Sequence, residues 1–114
     1  MRRTLIAHDK KLFEAVVEVA HKIVPTLRVG SMFGSPAIFV GRKMAACVFG
    51  NEVGLKVPAD IASKLIASGN AQHFTPYGKP KMREWISVSV QHNQVDSISD
   101  LLSASLTFAR NNNG

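Results

Sequence analysis

Ala37-Ile38-Phe39-Val40-Gly41-Arg42-Lys43-Met44-Ala45-Ala46-Cys47-Val48-Phe49-Gly50-Asn51-Glu52-Val53-Gly54-Leu55-Lys56-Val57 is the stretch whose reading decides the fold. Two pairs, Gly41-Arg42 and Gly50-Asn51, interrupt it. Glycine readily takes the positive φ that a two-residue hairpin turn requires. The pieces between them, 37–40, 43–49 and 52–57, are short and apolar, with β-branched and aromatic residues recurring. Three strands joined by tight turns make an antiparallel meander. In the middle strand, Ala45-Ala46-Cys47 is small enough to let a helix lie close across the sheet.

Working outward toward the N-terminus, Leu12, Val16, Val19, Ala20 and Ile23 recur at helical spacing, with Phe13, Val17 and Val24 widening the same face. Asp9 can accept hydrogen bonds from the first free amides, and Pro25 stops the helix. Toward the C-terminus, Pro58 opens a second helix from a first-turn position, with Asp60 complementing the dipole. Ile61, Leu65 and Ile66 form its buried stripe, and Gly69 suits the residue just past its end. A strand is expected over 72–75, then a turn over 76–80. From Lys81 onward Met82, Ile86, Val88 and Val90 alternate with Arg83, Trp85, Ser87 and Ser89. A last helix starts near Ser97, with Asp100 as a capping-box-like partner, and carries Ile98, Leu101, Leu102, Leu106 and Phe108.

The expected order is therefore α-β-β-β-α-β-β-α. Strands and helices do not alternate strictly, which disfavours a doubly wound parallel sheet. The fold class is α+β, a five-stranded antiparallel sheet with covering helices in one domain over 1–114. With 114 residues, 46% of them hydrophobic, one core is fillable and wholesale disorder is disfavoured. The single cysteine excludes an intramolecular disulfide framework and a multi-cysteine zinc site, and fits a reducing, cytoplasmic setting. Arg2-Arg3 followed by Thr4-Leu5-Ile6-Ala7 is too short for a secretory signal, and no apolar run reaches a membrane span.

Motifs for catalysis do not assemble. His8, His21, His73 and His92 lie in four segments, without the i,i+4 spacing of a helical metal site. Cys47 stands among apolar neighbours with no local cation to activate it, which reads as core packing. Gly30-Ser31-Met32-Phe33-Gly34 lacks the ending of a phosphate loop, and no G-x-S-x-G elbow occurs. No catalytic, cofactor-binding or metal-ligating residue is assigned.

Charge offers more. Fourteen Lys and Arg against eight Asp and Glu leave a net charge of +6, which attracts polyanions or simply aids solubility. Lys79, Lys81 and Arg83 fall at alternate positions, Trp85 follows by the same spacing, and Arg42-Lys43 forms a pair. Cations interleaved with an aromatic hold a phosphate backbone and stack a base. The competing reading is a solvated outer strand, with Trp85 covered by a helix or a second subunit.

Arg28-Val29-Gly30-Ser31-Met32-Phe33-Gly34, Ile38-Phe39-Val40-Gly41-Arg42-Lys43-Met44-Ala45, Gly54-Leu55-Lys56-Val57 and Phe74-Thr75-Pro76-Tyr77-Gly78-Lys79-Pro80-Lys81-Met82 occur in that order. As an ensemble they resemble the N-terminal domain of the TfoX/Sxy family, regulators of bacterial natural competence, from the first helix to the last. The resemblance implies a secretion-chaperone-like α+β fold and a non-enzymatic regulatory role, here in a stand-alone single-domain member. It carries over no catalytic residue, and Ser35-Pro36 departs from the glycine-rich continuation often seen after Met-Phe-Gly. The expected partner is another protein or a second copy of the chain, met by a helix face or an exposed sheet edge. The alternative is a nucleic-acid-binding protein using Arg42, Lys43, Lys79, Lys81 and Arg83, with Trp85 as the stacking ring. A third reading, a small-molecule enzyme, needs a polar pocket around His73 and Tyr77.

Overall fold

In a computed structural model of the chain, which describes residues 9–32, 34–75 and 83–111, the meander forms with both turns where glycine places them. Gly41 has φ 62° and Gly50 φ 64°. The elements run α1 (Lys10–Ile23), β1 (Arg28–Met32), β2 (Ser35–Val40), β3 (Lys43–Phe49), β4 (Glu52–Lys56), α2 (Ala59–Ala67), β5 (Gln72–His73), β6 (Trp85–Ser89), a 3-10 helix (His92–Ile98) and α3 (Ser99–Asn111). The sheet is antiparallel throughout, in the order β1-β2-β3-β4-β6-β5.

The architecture is the expected α+β class, with a correction of one strand: the sheet has six strands, four of them before α2. The additional strand is β1. Its sequence gives no alternation to read, because four of its five residues are exposed. It forms through pairing with β2, from Arg28 opposite Phe39 to Met32 opposite Ser35.

Helix starts follow local chemistry. Asp9 Oδ1 accepts from the Leu12 amide at 3.1 Å, closing the first turn of α1. Pro58 stands one position earlier than expected, as the residue before α2. Ser97 does not begin the last helix. A 3-10 turn from His92 leads into α3, and the capping box is Gln91 with Gln94 rather than Ser97 with Asp100. The final strand is shorter than the alternation suggests, since Arg83 and Glu84 form a turn ahead of Trp85; Lys81 and Met82 lie outside the described residues.

The helices pack on one face of the sheet. Leu12, Val16 and Ala20 of α1 and Leu102, Leu106 and Ala109 of α3 close over Ile38, Ala46, Val48, Val53, Leu55, Ile86 and Val88. Both Ala45 and Ala46 belong to this core, because Ala45 is the extra residue of a β-bulge opposite Ile38-Phe39. A bulge leaves a backbone carbonyl without a ladder partner, and here the buried Ser105 hydroxyl of α3 donates to the Ala45 carbonyl. The small residues of β3 thus admit α3, and its serine satisfies the irregularity beneath.

Candidate functional site

The opposite face of the sheet carries a second, smaller cluster: Ala37, Cys47, Phe74 and Trp85 are buried, and Met32, Phe39, Met44 and Phe49 pack half-buried around them. Strand register explains the set. Ala37 opposes Cys47, Cys47 opposes Gly54, and Gly54 opposes Ser87, so small side chains run across the middle of this face. Phe74, just past β5, lies over the trough they leave. A Cβ built on Gly54 would stand 3.0 Å from the Phe74 ring and 2.9 Å from Cys47 Sγ. The Phe74 ring meets Trp85 at 5.5 Å between centroids and Phe49 edge-on at 6.1 Å.

This arrangement corrects the reading of Trp85 as an exposed stacking ring. Trp85, Ser87 and Ser89 do share a face opposite Ile86 and Val88, as the alternation requires. That face is not solvated at Trp85, which is 8% exposed. Ser87 is buried as well, and its hydroxyl donates to Glu52 Oε1 at 2.5 Å. The indole packs against Phe74 and is not an open stacking platform.

Burial also fixes the character of Cys47. Desolvation pushes its thiol up from 9.0 to about 12, against a smaller opposing effect of a backbone hydrogen bond from Gly54. The thiol therefore stays protonated and unreactive near neutral pH. Alkylation of the native protein is expected to proceed only through global opening, slowing in step with stability; fast labelling by a small thiol reagent in the absence of denaturant would contradict this. The unfolded chain ionises first, so this thiol's contribution to stability is complete below pH 9 and is lost as pH rises toward 12.

The cationic candidates gather by topology rather than by local sequence. Arg42 and Lys43 sit at the β2–β3 turn, exposed. Arg28 at the start of β1 pairs beside Phe39, Lys56 at the end of β4 opposes Trp85, and Arg83 stands in the turn two residues before β6. Alternating strand direction brings all five to the same end of the sheet, across five strands at about 4.8 Å spacing, or roughly 19 Å from β1 to β6. Asp60, in the first turn of α2, and Glu84, next to Arg83, bring acids toward the same end. Lys79 and Lys81 lie outside the described residues. Arg28 and Lys56 escaped the sequence reading because nothing local links them to Arg42.

A cleft of about 730 Å³ opens beside this rim, between α2 and the β5–β6 edge, with Asp60, Ser63, His73 and Arg83 among its lining residues. The polar pocket sought around His73 thus has a counterpart, while Tyr77 lies outside the described residues. All four polar residues are exposed, and among the described residues no hydrogen bond or ion pair joins them to one another. Among the described lining residues no nucleophile–base pair, the geometry that would specify a reaction, comes together. His8 lies outside the described residues, and among those described no three His, Cys, Asp or Glu come together as metal ligands. No helix among them is long and apolar enough to cross a membrane.

The chain matches no family model, no curated protein and no solved structure.

Proposed function

We propose that this chain is a bacterial regulatory domain of the TfoX N-terminal type that acts by binding protein, without chemistry of its own, in the cytoplasm. The observation that carries the reading is the second face of the sheet. Among the described residues no helix lies on it, and Met32, Phe39, Met44 and Phe49 remain half-buried around a fully packed centre. An ordered apolar face rimmed by polar residues suits a protein partner. The glycines of the resembling motifs have structural work there: Gly30 lies under the Phe39 ring and Gly54 under Phe74.

A second reading, polyanion binding, is favoured by one specific observation, the convergence of Arg28, Arg42, Lys43, Lys56 and Arg83 at one sheet end. The two readings separate by salt. Tagged chain would be recovered from its host cells as wild type, Met44→Glu and an Arg42→Glu/Arg83→Glu double variant. Protein binding predicts a polypeptide that stays bound at about 0.5 M salt, where the Debye length falls below about 5 Å, and that Met44→Glu releases while the charge reversals do not. Polyanion binding predicts nucleic acid whose affinity falls with a log–log salt slope near −0.9 per phosphate neutralised, the slope shrinking by about one per cation removed. Recovery of neither would refute both.

A further inference from the structure

The two edges of the sheet are treated differently. On one side β5 is only two residues long, a length that offers little to pair with. On the other, β1 is five residues in unbroken register with β2, and its outer edge carries alternate N–H and C=O groups pointing away from the sheet. Most of the devices that guard such edges are missing from it. It contains no proline, no lysine and no bulge. Its one charge is turned back onto its own sheet: the Arg28 guanidinium donates to the Gly41 carbonyl at 2.6 Å and sits 5.6 Å over the Phe39 ring. Val29, beside it, is 55% exposed and is the large hydrophobic side chain that stands furthest into solvent among the described residues.

We infer that β1 is the docking edge for a second copy of this chain, the two strands pairing antiparallel about a two-fold axis through Gly30 so that two six-stranded sheets become one. The inference goes beyond the protein-binding reading above: it adds a second contact surface, distinct from the Met44 face, and names the partner that surface takes. Self-pairing is what the residues of β1 accommodate. The two-fold sets Gly30 against Gly30 of the second copy, Val29 against Ser31, and Arg28 against Met32. No like charges then oppose one another, and the two Arg28 residues stand about 13 Å apart along the ladder, beyond the Debye length of about 8 Å. Val29 of each copy becomes the diagonal neighbour of the other, about 7–8 Å away on the same face, which covers both. An isologous contact of this kind closes at two subunits and propagates no further. Five paired residues make an interface at the small end of the range, so dissociation in the region of about 10–100 µM is expected.

Sedimentation velocity on the full chain tests this, from about 5 µM to about 1 mM, a span bracketing that dissociation range. Wild type should shift from monomer to dimer across it. Val29→Lys and Val29→Glu each place like charges beside the axis and should weaken the dimer more than tenfold, with unchanged far-ultraviolet circular dichroism because the position is exposed. An equimolar mixture of the two variants should recover a heterodimer. A wild type that stays monomeric at about 1 mM, a dimer indifferent to both variants, or a mixture that stays monomeric overturns the inference. None of these results touches retention of a different protein through the Met44 face, so failure here and failure of the binding reading are separable.

Discussion

Trp85→Ala is expected to lower the unfolding free energy by about 3–5 kcal/mol, the usual cost of removing a large buried aromatic ring. The indole is 8% exposed and tilted against the Phe74 ring at 5.5 Å, so truncation removes the wall on which Phe74 rests as well as the transfer energy of the ring. Whole-domain stability is generally about 5–15 kcal/mol, so the variant should unfold at markedly lower urea, with the slope of the transition unchanged. Trp85→Phe keeps a ring against Phe74 and should recover part of the loss. Denaturation followed by circular dichroism measures all three proteins. A loss under about 1 kcal/mol would mean that the indole is not a packing element, and would restore it as a surface platform. The prediction separates the two uses of this residue, because an exposed stacking ring costs little stability when removed.

That separation marks where the sequence was legible and where it was not. Local signals were sufficient wherever one residue type does one backbone job. Gly41 and Gly50 turn the hairpins, Asp9 caps α1, and Gly69, at φ 82°, follows the end of α2. Period-two alternation assigned Trp85 and Ser87 to the correct face of β6. It could not say whether that face meets water, because the cover comes from Phe74, just past the neighbouring strand β5. The same limit hid β1, whose exposed residues follow no hydrophobic period and whose strand character comes from β2. It hid the cationic rim too, since Arg28, Lys56 and Arg83 meet only after four chain reversals. A bulge at Ala45 and its serine partner sixty residues away leave no local signature either.

Gly54 supplies the second large effect. β4 is a central strand, and valine is among the residues that strands favour, so intrinsic preference argues that Gly54→Val should stabilise by some tenths of a kcal/mol. The packing argues the reverse and by more. A Cβ there would meet Cys47 Sγ at 2.9 Å and the Phe74 ring at 3.0 and 3.1 Å, before the two valine methyls are placed. Cys47 is held in the sheet, and Phe74 is held between Phe49 and Trp85, so neither can withdraw without opening the cluster. Overpacking of this kind costs about 1–3 kcal/mol, occasionally more, and here it outweighs the propensity gain. The effect should be non-additive with its cause: in a Phe74→Leu background the same substitution should cost less, with a coupling of about 0.5–3 kcal/mol in a double-mutant cycle. Equal costs in the two backgrounds would show that Phe74 does not press on Gly54. A stabilised single variant would show that this face of the sheet lies open, and the half-buried rim of Met32, Phe39, Met44 and Phe49 would then have no packed centre to surround.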